Sequence, residues 1–203
     1  DITVDELLKE IGTAKKKLLT VREKRVKPGL DDKSLTSWNA LMLKGYADAY
    51  NVFNEPKFLK VALKNANFIL TTVRRDDGGL FHSYKKGRTK INGYLEDYAF
   101  TIEAFITLYE ATFDEKWLNT AKELMEYTIE HFYEKTSGMF YFTSDLDKAL
   151  IARKMEINDN VIPASNSSIA KSLFMLGHYF DDKNSFYSIV KQAGIEGYTE
   201  PDP

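Results

Sequence analysis

Three short polar clusters hold the residues of this chain whose types could do chemistry. The first runs Asp31-Asp32-Lys33-Ser34-Leu35-Thr36-Ser37-Trp38-Asn39, and the second Gly93-Tyr94-Leu95-Glu96-Asp97-Tyr98. The third runs Asp159-Asn160-Val161-Ile162-Pro163-Ala164-Ser165-Asn166-Ser167. Asp32, Glu96, Asp97 and Asp159 are the candidate catalytic groups. Two carboxyl groups facing each other across a cleft can serve as general acid and general base, as glycoside hydrolysis requires. Trp38, Tyr94 and Tyr98 offer flat faces on which the C–H side of a sugar ring stacks, and Asn39 and Asn166 offer amides to its hydroxyls. The same residue types are what helix N-caps select. Capping therefore accounts for each residue taken singly, and the recurrence of the clusters carries the chemical reading.

The elements that must position these clusters are helices. Apolar residues at helical spacing predict a first helix over about 4–26, with Leu7, Leu8, Ile11, Leu18, Leu19 and Val21 on one side and Pro28-Gly29 as its stop. A second is expected over about 35–53. A third starts at Pro56, where a missing N–H costs nothing, and ends near Arg74. Leu80 to Tyr84 reads as a strand with a hairpin turn at Lys86-Gly87. The arrangement then returns: helices over about 95–112 and 115–133, a strand-like Met139-Phe140-Tyr141-Phe142, a helix over about 165–180 and a last helix from about Asn184.

A displacement of 59 residues lays Ala99 on Ala40, Tyr109 on Tyr50, Lys116 on Lys57, Ala121 on Ala62, Gly138 on Gly79 and Phe140 on Phe81. A match through two helices, their turn and the terminal Gly-x-Phe marks an internal repeat. Charge sorts the helices within each pair. Between Trp38 and Phe53 only Lys44 and Asp48 are charged, whereas Lys116, Lys122, Glu123, Glu126 and Glu130 ride one side of 115–133. A helix apolar nearly all round is buried and an amphipathic one covers it. Inner and outer helices therefore alternate, and the three clusters fall at the N-termini of inner helices, around one mouth.

Composition limits the alternatives. The chain has 203 residues, Lys+Arg 28 against Asp+Glu 30, a formal charge of −2, and no cysteine. Without a basic excess, neither nucleic acid nor an anionic membrane surface is an expected partner. The lack of cysteine excludes disulfides, thiolate metal sites and cysteine nucleophiles, and suits a reducing, cytoplasmic setting. The three histidines, His82, His131 and His178, share no metal spacing and are read as structural or exposed. No cofactor or metal is expected, and the chain has no Gly-x-Ser-x-Gly nucleophile turn.

The run Lys17-Leu18-Leu19 to Arg22-Glu23-Lys24-Arg25, then Pro28, Asp31-Asp32-Lys33 and Leu35-Thr36-Ser37-Trp38-Asn39, resembles a stretch of the thioredoxin-domain-containing family related to spermatogenesis-associated proteins. Tyr94-Leu95-Glu96-Asp97-Tyr98-Ala99-Phe100 and Pro163-Ala164-Ser165-Asn166-Ser167 fit it in the same order. The resemblance implies an all-α fold, a partial α/α toroid of the six-hairpin glycosidase-like kind, akin to N-acylglucosamine 2-epimerases and cellobiose epimerases. Three glycines that the resemblance leads one to expect are replaced, at Ala40, Ser165 and Asn160. The thioredoxin-like domain of such proteins is not in this sequence. The epimerase likeness also calls for acid/base histidines at the mouth, and the sequence places none there.

About seven helices are expected, against twelve in a closed six-hairpin ring. Residues 1–203 are thus read as a single toroid-like domain forming an arc, whose open edges would favour self-association. Two functions fit. One is a carbohydrate-active or carbohydrate-binding domain with a small sugar or sugar phosphate as ligand. The other is a non-catalytic helical-repeat scaffold, or partner-binding part, of a larger protein. Convergence of the carboxylates in one site would favour the first, and carboxylates splayed out as helix caps the second.

Overall fold

The computed structural model describes residues 2–148, 151–181, 186 and 189. The chain divides into two compact units, Asp1–Asp32 and Lys33–Pro203. In the first unit, helix α1 spans Val4–Glu23. Thr3 opens it with a capping box: the Glu6 N–H donates to Thr3 Oγ1, and the Thr3 N–H donates to the Glu6 carboxylate at 2.9 Å. It ends at Glu23, with Lys24 as its C-cap, before the expected residue 26. No residue of α1 is buried, so its expected apolar side is exposed.

The second unit begins with a two-residue strand, β1 (Ser34–Leu35), that runs directly into α2 (Thr36–Phe53). Helix α3 (Pro56–Phe68) follows, with proline in its first turn, and continues into a π-helical turn, Ile69–Val73. The sequence shows one helix to Arg74. The structure widens its last turn, so that the Arg74 N–H reaches the Ile69 carbonyl at 2.8 Å and Ile69 and Val73 are both buried. Strands β2 (Phe81–Lys85) and β3 (Arg88–Asn92) form the hairpin, and β1 pairs with the other edge of β2. Gly93 then passes so close to Leu80 that a Cβ would lie 2.8 Å from the Leu80 carbonyl oxygen, which accepts the Gly93 N–H.

Helix α4 (Leu95–Thr112) and helix α5 (Glu115–Phe132) repeat the pattern. Thr36 to Leu95, Phe53 to Thr112 and Pro56 to Glu115 are each a displacement of 59, as the sequence register demands. Even the residues that stop the inner helices correspond. Asn54 (φ 52°) and Phe113 (φ 54°) both turn the chain in the left-handed region. A short ribbon, β4 (Tyr133–Glu134) with β5 (Met139–Phe140), leads toward α6 (Ser165–Tyr179). The expected last helix from Asn184 lies outside the described residues, apart from helical Phe186 and Ile189, which are buried.

Helix α4 packs against α2, α5 and α6, and α3 covers α2. Inner helices α2, α4 and α6 therefore run in a row with outer helices behind them, the alternation of a partial α/α toroid. Helix α4 is buried almost throughout, and Phe105 meets Trp117 of α5 with ring centroids 5.5 Å apart. Burying side chains of this size contributes about 1.5–3 kcal/mol each. Helix α2 departs from expectation. It buries Thr36, Ser37, Ala40, Leu43 and Ala47 along one stripe and leaves Met42, Val52 and Phe53 exposed. Among the described residues, α4 is the inner helix that packs against it.

Candidate functional site

Strand pairing creates the site. Leu35 of β1 lies opposite Ser83 of β2, which sets the start of α2 beside His82. Thr36 Oγ1 ties this junction by donating to the Phe81 carbonyl. Helix α4 enters from the other side, with Tyr94 as its N-cap and Glu96 and Asp97 in its first turn.

Asp97 is fully buried and joins three elements. One carboxylate oxygen accepts the Ser37 N–H of α2 at 2.9 Å. The other accepts the Tyr94 N–H at 2.8 Å and contacts His82 Nδ1 at 2.9 Å. Burial pushes the Asp97 carboxyl above its ordinary range, while its bonds to His82, Tyr94 and Ser37 pull it back. The hydrogen bond to Asp97 raises His82 above 6.5 against a partial loss of solvation. Two backbone N–H groups already aim at the Asp97 oxygens, so the proton shared by the pair belongs on His82 Nδ1. That leaves Nε2 as the exchangeable position of the ring. The imidazole is further held by Tyr94, 4.7 Å away between centroids, which stacks in turn on Phe142 at 5.1 Å.

Glu96 is half-buried and accepts the Ser37 hydroxyl at 3.2 Å. Its carboxyl is raised, first by burial and then by the Asp97 charge, with a smaller push from Glu156. Glu156 comes from the segment before α6. Phe142 N–H donates to the Lys154 carbonyl, and Tyr141 bridges Met155, which fixes Glu156 where its carboxylate accepts the Ser165 N–H and hydroxyl. The N-termini of α2, α4 and α6 are thus each engaged by a carboxylate, and Glu96, Asp97, Glu156 and His82 share one electrostatic neighbourhood.

The other expected site residues fall elsewhere or do other work. Tyr98 is fully buried: its hydroxyl accepts the Leu80 N–H at 2.9 Å and its ring stacks on Tyr127 at 5.5 Å, so it is core and not a wall of the mouth. Asn166 is also buried and takes the place of a strand partner. It accepts the Phe140 N–H and donates to the Phe140 and Glu156 carbonyls, which occupies its amide with backbone. Asn39 donates to the Leu35 carbonyl within its own first turn. Asp159 is exposed and accepts the Ala164 N–H at 2.7 Å and the Ser167 hydroxyl at 3.1 Å, as a cap of α6. Asp32 belongs to the first unit and is exposed there. Trp38 is 63% exposed, one residue after Ser37.

Two residues of the site were missed. His82, read from the sequence as structural or exposed, lies mostly buried on β2 and contacts Asp97 through Nδ1. The pairing of β2 with β3, which brings the chain back to Leu80 at Gly93 just before α4, is what sets His82 beside Asp97. Glu156 sits in a charged irregular stretch, where nothing in its spacing marks it. His82, Glu96 and Asp97 also have ligand atoms within 4.8 Å of one another, close enough to hold a metal ion. The Asp97 oxygens, however, already accept backbone N–H bonds and contact the imidazole, and a metal would have to break that arrangement.

Comparison with known proteins bears on the family and the fold. The family model described as N-acylglucosamine 2-epimerase (GlcNAc 2-epimerase) matches residues 31–154, more than half of the chain. An uncharacterized protein of Caenorhabditis elegans is 33% identical over 185 residues, 87% of this chain and 25% of that protein. Spermatogenesis-associated protein 20 of Homo sapiens is 28% identical over 187 residues, 86% of this chain and 23% of that protein. The chain spans about a quarter of the length of these relatives. Among solved structures, a GH76 α-mannanase of Bacteroides thetaiotaomicron matches 84% of this chain and 44% of its own, with a TM-score of 0.65 and 17% identity. A cellobiose 2-epimerase of Bacillus thermoamylovorans matches 79% and 43%, with a TM-score of 0.65 and 15% identity. These likenesses establish the α/α toroid fold. No helix among the described residues is long and apolar enough to cross a membrane.

Proposed function

The chain belongs to the N-acylglucosamine 2-epimerase family, and from that premise we propose that it binds a small sugar at the His82–Glu96–Asp97 cluster and transfers protons on it. The observation that carries this reading is the buried Asp97 carboxylate locked to His82 Nδ1 beside a second, half-buried carboxyl group that is raised. Asp97 orients the imidazole and supports its charge, as a buried carboxylate does for a catalytic histidine. His82 Nε2 then takes or returns a proton. Glu96, which holds its proton more firmly than an ordinary carboxyl group, serves as the acid. Trp38 offers the stacking face. Family membership and the sugar-active proteins of the same fold support a sugar as ligand, by likeness and not by the identity of any one site residue.

A second reading rests on a different observation. Asp159, Asn166 and both Asp97 oxygens are engaged with backbone N–H groups, as they would be in a helical-repeat scaffold belonging to a longer protein. Thermal unfolding against a panel of mono- and disaccharides separates the two. The site reading predicts that at least one sugar raises the melting temperature of the wild type, and that Glu96→Gln, itself folded, loses the response. A folded wild type that answers to no sugar would leave the scaffold.

A further inference from the structure

Helix α1, in the first unit, buries none of its residues. A helix of this length is marginal in water unless an apolar face is covered. The pattern of α1 is tighter than general amphipathicity. Val4, Leu7, Ile11, Ala14, Leu18 and Val21 alternate at spacings of three and four, the a and d positions of a coiled coil, through the whole helix. Both ends of this seam face solvent, with Val4 72% and Leu18 70% exposed. Charge is divided along the same helix. Asp5, Glu6 and Glu10 lie in its first half, and Lys15, Lys16, Lys17 and Arg22 in its second, with Lys9 and Glu23 as the exceptions.

We infer that α1 is a dimerisation helix, which pairs antiparallel with α1 of a second copy of this chain. With Ile11 set against Ala14 of the second copy, Leu7 meets Leu18 and Val4 meets Val21. Every layer is then apolar, and the small Ala14 is filled by a larger partner. The flanking positions bring Glu10 beside Lys17 of the second copy, twice by symmetry, and the acidic half of each helix lies along the basic half of the other. The two macrodipoles also oppose each other. An in-register parallel pair would instead set Ala14 against Ala14, acids against acids, and Lys15, Lys16 and Lys17 against themselves, which like charges at the flanks penalise. A solitary solvated helix asks for neither a continuous seam nor separated charge. A helix lying on a membrane surface would carry basic residues along its whole polar face, and α1 is acidic for half of it. The inference is independent of the sugar reading, whose residues belong to the second unit.

The test is size-exclusion chromatography with light scattering on the whole chain, from about 5 to about 200 μM. The mass should rise with concentration from 23.3 kDa toward twice that value. Ile11→Lys with Leu18→Lys should hold the chain at 23.3 kDa and, because α1 buries nothing, should leave the melting of the second unit in place. Glu10→Lys should weaken association about tenfold at low salt, and adding Lys17→Glu should restore it. Orientation is read separately. The chain has no cysteine, so a spin label on Glu23→Cys reports one distance between copies. It should be about 30 Å or more in the antiparallel pair, against about 20 Å in an in-register parallel one. A chain that stays monomeric throughout would overturn the inference and leave the seam to another segment of a longer protein. A dimer that survives the double lysine variant, or a label distance of the parallel kind, would overturn it as well.

Discussion

The Asp97 carboxylate of α4 accepts the backbone N–H of Ser37 at 2.9 Å, so one inner helix caps the next across 60 residues of chain. The Glu96 carboxylate reaches the Ser37 hydroxyl from the adjacent position. Under the 59-residue repeat, Ser37 and Glu96 are equivalent positions on successive inner helices. The repeat therefore makes its own junction, and the candidate acid/base groups are placed by the contact that joins its two copies.

Asp97→Ala should be severe. It strips the acceptor from the buried Ser37 N–H, the partly buried Tyr94 N–H and His82, and each orphaned buried donor costs about 1–3 kcal/mol. A total loss of about 3–5 kcal/mol in urea unfolding is expected. Ser37→Ala removes only the hydroxyl that meets Glu96 and should cost about 0.5–1.5 kcal/mol. Equal losses in the two variants would show that Asp97 is not the centre of the junction.

The titration of the site has a definite sign. His82 is raised above 6.5 in the folded chain, so its contribution is complete below about pH 6.5 and is lost as pH rises through the folded value. Glu96 is an acid whose value is also raised, so the folded chain holds its proton more tightly than the unfolded chain does. Stability consequently falls as pH rises above 4.5 through the raised value, and the penalty is complete beyond it. Glu96→Gln should raise the melting temperature at pH 7–8 by more than it does near pH 4, and His82→Gln should flatten the decline above pH 6.5. Parallel pH profiles of wild type and variants would contradict these assignments.

Phe113 marks a local conflict that function does not require. It is 79% exposed, with φ at 54°, a conformation that bulky side chains rarely adopt. Asn54, its counterpart in the repeat, is a residue that tolerates this turn. Phe113→Asn should stabilise the chain by about 0.5–1 kcal/mol, measured by chemical unfolding. A loss of stability would show that the edge contact of Phe113 with Tyr109, centroids 6.2 Å apart, outweighs the backbone strain.

Much of this fold is legible in the sequence, because long amphipathic helices declare themselves by period and a repeat doubles every signal. The bounds of α4 and α5 follow from those of α2 and α3. What the sequence hides is set by pairing over distance. His82 joins Asp97 because Phe81 pairs with Asn92 across the hairpin and the Gly93 N–H bonds the Leu80 carbonyl, which returns the chain to β2 just before α4, and neither contact has a pattern of its own in the sequence. Tyr98 looks like a neighbour of the polar mouth, but one position along a helix turns a side chain by about 100°, and that takes it into the core. Asn166 offers an amide that any reading would give to a ligand, and its burial against Phe140 gives it to backbone. Asp97 remains ambiguous by type alone, since a capping carboxylate and a histidine-orienting carboxylate are the same group. Only the buried three-way geometry shows it doing both.

The most direct measurement is the ring-proton titration of His82 with and without sugar, in the wild type and in Glu96→Gln. The chain has three histidines, so His82→Gln assigns the resonance. The account predicts a His82 midpoint above 6.5 that moves when a binding sugar is added, and that stays in place when the same sugar is added to Glu96→Gln. A His82 resonance that titrates in its ordinary range, and that no sugar perturbs, would contradict a site built on His82, Glu96 and Asp97.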